Sequence, residues 1–437
     1  MKKILAFMLA VLMLMLASCQ IAPAPADETT EKPDNTSEPT VTTDPAGPIT
    51  LPSTFSTFDT DLMRFIETSE SGDYMASPLS FLYAIGMLIE GADENTLAEL
   101  QTALGIKDNE EFQKYIESVN ALIKKFNDTV ARQLETYNKL PENQKQYSTK
   151  PGGILRVANS VWKNEEYEDF LSQYKESLKL YEAEYRDFNK NDVVPEVNKW
   201  VNEKTEGMIP RLLPDDYDAE KLATILMNAL YYKNNWNMEF AKIGEKDFTT
   251  ADGSKVKKEF ISTAGHFYYY KDDVTEICVA PMANGAKAVF VLGDMTGIEE
   301  KLAKASSASY VNIQVPIFEI ESSFDNGEFV EFLKNLGVSD VFDKENANLG
   351  KMLDLTKIDG NLCVNDIIQK TKIKLDETGV EAAAVTAIMV VEATSAGPKP
   401  EPIRFIADKP FHFFIRLSTD SYWDASGITL FEGRLTK

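Results

Sequence analysis

Histidine is nearly absent: the 437 residues contain only His266 and His412. A three-histidine zinc site is excluded, and any Ser-His-Asp relay would have to use one of these two. Cysteine is scarce as well, with Cys19, Cys278 and Cys363 alone. No CxxC pair and no metal-type cluster occurs. Cys278 lies between Ile277 and Val279, and Cys363 between Leu362 and Val364. These are settings of buried thiols, although an exported compartment leaves a disulfide open. Positive charge is in deficit: 45 Lys and Arg face 69 Asp and Glu, a formal charge of −24. Neutralising phosphates needs a basic surface, so a nucleic-acid partner is excluded. No G-x-S-x-G, HExxH, P-loop or G-x-G-x-x-G is present. Asp215-Asp216 and Asp272-Asp273 are acidic pairs, but in so acidic a chain they read as solvated loop ends. No cofactor, metal or enzymatic reaction is implied.

What is present begins with an address. Lys2 and Lys3 precede an apolar stretch, residues 4–16, too short for a comfortable membrane span. It ends in Leu16-Ala17-Ser18-Cys19, which resembles a bacterial lipoprotein lipobox. The resemblance implies a signal peptide over 1–18, lipidation at Cys19 and a cell-surface protein. Loss of the two lysines would take the charge from −24 to −26. Residues 19–51 are rich in Ala, Pro, Thr, Ser, Asp and Glu. They cannot bury enough surface to fold and read as a flexible tether, with a coil reach of roughly 30 Å.

Residues 52–437 show no linker and no repeat, and read as a single domain. Helices dominate the first half. Residues 81–91 are apolar nearly all round, behind the cap-like start Ser77-Pro78-Leu79-Ser80. Val197, Trp200 and Val201 fall at helical spacing among polar residues. Strands dominate the second half, at 223–232, 288–292, 372–376, 411–417 and 427–431. Helices followed by strands, without βαβ alternation, predict an α+β fold.

Residues 379–401 fit neither loop nor core. After Asp376-Glu377-Thr378-Gly379 comes Val380-Glu381-Ala382-Ala383-Ala384, then a β-branched run to Val391, then Pro398, Pro400 and Pro402. On a strand, Val380, Ala382, Ala384, Thr386, Ile388 and Val390 would share one uncharged face. A connection of this length without regular structure marks function or argues against the assignment; an ordinary core strand or helix is the alternative.

Asp376-Glu377-Thr378-Gly379-Val380-Glu381-Ala382-Ala383-Ala384 resembles the reactive-centre hinge of the serpins, a serine-protease-inhibitor family. Asn228-Ala229-Leu230-Tyr231-Tyr232-Lys233-Asn234-Asn235-Trp236, Ser77-Pro78-Leu79-Ser80, Asn198-Lys199-Trp200-Val201 and Phe431-Glu432-Gly433-Arg434 resemble further serpin blocks, in the same order. The resemblance implies helices on a large central mixed sheet plus two smaller sheets, with an exposed loop. It implies a suicide substrate: a protease is trapped as its acyl-enzyme when the cut loop inserts into the central sheet. Glu377, Gly379, Val380, Glu381, Ala382, Ala383 and Ala384 are then the hinge. Ser77, Ser80, Asn228 and Gln369 are the shutter, with Gln369 where the family usually has histidine.

Family spacing places the scissile bond at Ala393–Thr394, flanked by Val390, Val391, Glu392 and Ser395. A small residue there suits elastase-like or subtilisin-like serine proteases, and papain-like cysteine proteases are a further class. Fifteen residues separate Ala393 from Lys409, more than is common in the family, which leaves neighbouring bonds open. Expected partners are thus proteases, with membrane contact through the lipid alone. A monomer is expected, with loop-sheet polymerisation as its liability, because 385–391 is uncharged and β-prone. A non-inhibitory serpin, a mere substrate, or an unrelated acidic surface lipoprotein are the alternatives.

Overall fold

The computed structural model describes residues 54–437 apart from 146–147, 149, 218, 220–221, 308–309, 326, 358–361, 365–366, 381–400 and 419–426. The expected signal peptide, Cys19 and tether lie outside the described residues.

Nine α-helices are described: α1 (Thr54–Ser69), α2 (Pro78–Gly91), α3 (Glu94–Leu104), α4 (Asn109–Asn138), α5 (Glu142–Lys145), α6 (Ser172–Ser177), α7 (Val193–Lys204), α8 (Ile298–Lys304) and α9 (Glu328–Asn335). The early strands are β1 (Tyr74–Ala76), β2 (Gly153–Asn164), β3 (Glu184–Phe188), β4 (Thr224–Asn235), β5 (Ala241–Thr249), β6 (Lys255–His266), β7 (Tyr268–Lys271) and β8 (Thr275–Pro281). The later ones are β9 (Ala286–Gly293), β10 (Tyr310–Pro316), β11 (Phe318–Phe324), β12 (Gln369–Asp376), β13 (Gly379–Val380), β14 (Ile403–Ile406), β15 (Phe411–Leu417) and β16 (Ile428–Leu435).

They form three sheets: a central one in the order β11-β12-β13-β4-β2-β3, a second, β1-β16-β15-β9-β8-β7, and a four-stranded third, β14-β10-β6-β5. The α+β class read from the sequence is the observed one. The second sheet equals the central sheet in strand number, whereas the sequence reading expected two smaller sheets. The first half also carries β2 and β3, strands that the sequence reading did not separate from helix.

Local chemistry explains the helices that shape the site. Ser77 caps α2: its Oγ accepts the Ser80 N–H at 3.2 Å, and Pro78 fills the first turn. Because α2 is apolar all round, it is buried on nearly every side. Gly86 lets it pack close, since a Cβ there would lie 2.5 Å from the Phe112 ring of α4. Asp108 caps α4 by accepting the Glu111 N–H at 3.0 Å, and Phe112, Tyr115, Ile116, Val119, Leu122 and Phe126 give that helix one buried stripe. On the far face of the central sheet, α7 buries Val197, Trp200 and Val201 against Trp162 of β2 and Met227 of β4. The central sheet is thus covered by apolar groups on both sides.

The second sheet holds buried charge. Glu432 of β16 is fully buried, and among the described residues neither carboxylate oxygen has a hydrogen-bond partner. Burial, reinforced by Asp59 of α1, pushes its carboxyl well above the usual range. Burial likewise raises Asp59, to about 7, against the opposing pull of Thr429 and Arg416. Arg416 of β15 is held by both carboxylate oxygens of Glu299, at 3.1 and 2.5 Å. Neither Cys278 nor Cys363 is in a disulfide, and burial pushes the Cys278 thiol up.

Candidate functional site

β13 is two residues long and lies between β12 and β4, antiparallel to both. Gly379 pairs with Asp376 on one side and Asn235 on the other, and Val380 with Leu375 and Asn234. Among the described residues no ladder joins β4 directly to β12. These two long strands run parallel and meet through the hinge.

The turn into β13 is built by Asp376, whose Oδ1 accepts the Thr378 N–H at 2.9 Å and the Thr378 hydroxyl at 2.5 Å. Trp236, at the end of β4, closes it. Its backbone N–H donates to the Thr378 carbonyl at 3.1 Å and its indole N–H to the Asp376 carbonyl at 2.8 Å. Glu377 pairs with Lys242 of β5 at 3.0 Å, a half-exposed contact worth little by itself.

Gly379 has φ +149°, and a Cβ there would lie 2.0 Å from the Asn234 carbonyl oxygen. Only glycine can approach the β4 backbone this closely. Gly379→Ala is expected to expel β13 or displace β4, at a cost of about 1–3 kcal/mol. Faster hydrogen exchange at the Trp236 and Val380 amides would register this; unchanged exchange would show that the close approach is dispensable.

Val380 is 2% exposed, so in the intact chain it is already a buried member of the sheet. Glu381, Ala382, Ala383 and Ala384, and the expected cleavage region Val390, Val391, Glu392, Ala393, Thr394 and Ser395, lie outside the described residues.

Ser77, Ser80, Asn228 and Gln369 come together where α2 meets β4 and β12. Gln369 Oε1 accepts the Ser77 N–H at 2.8 Å and its Nε2 donates to the Ser77 carbonyl at 3.0 Å. A single side-chain amide thereby ties β12 to the start of α2. Ser77 Oγ donates to the Leu430 carbonyl of β16 at 2.7 Å. Ser80 Oγ donates to Asn228 Oδ1, and Asn228 Nδ2 donates to Asn159 Oδ1 of β2. The four residues form two half-networks, Gln369–Ser77 and Ser80–Asn228, joined by the capping bond between Ser77 and Ser80.

Asn159 was missed by sequence reasoning. It also donates to the Tyr181 carbonyl, so it relays Asn228 to the chain ahead of β3. A polar residue inside a run that must be buried was the available signal, the same one that marked Asn228.

Gln369→Ala would leave the buried Ser77 N–H without its partner, while the Ser77 carbonyl would keep the Phe81 N–H at 3.1 Å. The expected loss is about 1–3 kcal/mol, read as a lower thermal midpoint of the intact protein. A change below about 0.5 kcal/mol would mean that water replaces the amide.

Comparison with known proteins bears on the whole body. The model of the serpin (serine protease inhibitor) family matches residues 53–437. The leukocyte elastase inhibitor of Equus caballus is 30% identical over 390 residues, covering 82% of this chain and 93% of that protein. Among solved structures, the native state of tengpin, a thermophilic serpin, superposes with TM-score 0.68 at 25% identity, covering 88% of this chain and 93% of tengpin. Serpin48 of the insect Tenebrio molitor gives TM-score 0.68 at 24% identity, covering 89% of this chain and 98% of that one.

Proposed function

The chain belongs to the serpin family, whose members are protease inhibitors rather than enzymes in general, and on that premise we propose that it is an irreversible, suicide-substrate inhibitor of elastase-like or subtilisin-like serine proteases. The observation that carries this reading is β13. Gly379 and Val380 already occupy the first two places of an added strand between β4 and β12, which have no ladder to each other among the described residues. In the proposed sequence, the protease serine attacks the Ala393 carbonyl and the Thr394 amine departs. The ester links the protease to the new C-terminus at residue 393. The freed segment then extends β13 residue by residue, gaining main-chain hydrogen bonds on both edges. Ala382, Ala383 and Ala384 follow with little bulk, so β4 and β12 need part only slightly.

The target class rests on Ala393 as the residue for the protease's primary pocket, and on the name of the Equus caballus relative, an elastase inhibitor. A cysteine protease would be held the same way, through a thioester. The Leu16-Ala17-Ser18-Cys19 run supports export and a lipid anchor at Cys19, from which the tether would hold the body clear of the surface. The β-prone segment 385–391, entering a neighbour's sheet, would be the route to polymers.

The test mixes the purified protein with pancreatic elastase, and separately with subtilisin, on denaturing gels with intact-mass analysis. The expected result is an SDS-stable complex with a released C-terminal fragment beginning at Thr394. Clean cleavage with full protease activity left over would establish a substrate and overturn the inhibitor reading for those enzymes.

A further inference from the structure

Beside the hinge lies a cavity of about 560 Å³, bounded by one face of α4, the start of β2, the end of β4, the turn before β9 and the end of β15. Its size is that of a small-molecule site. Leu122, Phe126, Trp236 and Leu417 give it apolar and aromatic walls. Among the described residues, the charged ones that line it are Lys125 and Lys150, with no carboxylate. In a chain carrying 69 acidic against 45 basic residues, a cavity with charge of only that sign stands out. Neither lysine has an ion-pair partner among the described residues, whereas the adjacent Lys124 is paired with Asp128 at 2.6 Å.

We propose that this cavity binds a small organic anion with an apolar body, such as an aryl or alkyl carboxylate. The lysines would take the carboxylate, and the Trp236 and Phe126 walls the body. The site borders the hinge. Asn235 and Trp236 line it; Asn235 pairs with Gly379, and the Trp236 backbone N–H donates to the Thr378 carbonyl. Asn284, also on its wall, donates to the Gly152 carbonyl at 3.2 Å and to Asn234 Oδ1 at 3.1 Å. A ligand seated there braces the end of β4 against movement. Its effect on loop insertion rests on the inhibitor reading above; its binding does not.

The experiment titrates the intact full chain with naphthalene-2-acetate and with its neutral isostere, naphthalene-2-acetamide, by calorimetry and without any protease. The acid is expected to bind at one site, at least roughly tenfold tighter than the amide. In the surface double variant Lys125→Gln/Lys150→Gln the two probes should bind alike, with an unliganded thermal midpoint unchanged. Thr129→Trp, which fills the cavity from α4, should abolish binding of both. The acid should also slow hydrogen exchange at Asn235, Trp236 and Val380. No binding of the acid, equal binding of the two probes to the wild-type chain, or a preference surviving in the double variant would overturn the site. Unchanged exchange at those amides with the acid bound would overturn the coupling. Since no protease is present, the site stands or falls apart from whether the chain traps one.

Discussion

On the proposed trapping mechanism, Val380→Glu should convert the protein from a trap into a substrate. Val380 is buried between Leu375 and Asn234, and an unpaired carboxylate there costs about 3–5 kcal/mol. Trapping is a race between strand addition and ester hydrolysis. Each 1.4 kcal/mol added to the first barrier shifts the outcome about tenfold. The variant is therefore expected to be cut at the same bond while SDS-stable complex falls to a trace. Val380→Thr, nearly the same shape and uncharged, should retain most of the complex. The intact protein should feel the change too, because Val380 is in place before any protease arrives: Val380→Glu lowers its thermal midpoint. Normal complex formation by Val380→Glu would mean that β13 is not where insertion begins.

Glu432→Met should make the protein more stable, and more so at higher pH. The Glu432 carboxylate is fully buried without a hydrogen-bond partner among the described residues. Its removal does not strand Arg416, which Glu299 holds at two points. Replacing such a group by an apolar one of similar volume typically gains about 1–4 kcal/mol. The sign of the pH effect follows from the raised folded values of Glu432 and of Asp59, the latter to about 7. The two acids titrate as a pair. In the unfolded chain both lose their protons near pH 4, while the folded pair retains proton occupancy above that. Between about pH 4 and 7 the unfolded state binds fewer protons, so the pair's contribution falls as pH rises. Glu67 opposes this at the acid end: its bond to His412 lowers its carboxyl against the pull of burial, and that stability is lost as pH falls through its folded value. Thermal midpoints at fixed scan rate from pH 5 to 8 should decline for wild type and decline less for Glu432→Met. Parallel profiles would show that Glu432 is ionised throughout.

The elements legible in the sequence were those whose own pattern decides them. Ser77 and Pro78 ahead of an unbroken apolar run produce α2, and the alternation through Ile373 and Leu375 produces β12. β2 was illegible because its inward positions are polar as well as apolar: Asn159, Ser160 and Lys163 are all buried. Their partners are distant in sequence. Asn159 meets Asn228, and Lys163 pairs with Asp187 at 2.6 Å. The hinge and shutter residues were nameable because glycine, small residues and a buried asparagine are local signals. That Gly379 and Val380 are already paired in the intact chain was not, since it depends on how far apart β4 and β12 stand. The charge of Glu432 was visible in the sequence; its burial without a partner was not.

The loop is fastened at both ends, with 22 residues between Val380 and Ile403. Ile403 belongs to the same sheet as Lys242, the hinge's ion-pair partner on β5, so the uncut segment must return toward its starting end. Every residue paid into the slot consumes about 3.3 Å and demands a similar length coming back. An unbroken loop can therefore add at most roughly 11 residues, less those that the reversal itself takes up, so it falls short of the β4 positions from Asn234 back to Thr224. The intact molecule is a zip with its slider started and its tape too short to close comfortably. Cutting near Ala393 removes the return leg and, with it, the limit on travel. On the proposed mechanism the peptide bond is thus the brake, and a protease that breaks it by acylation would release the movement that carries it away.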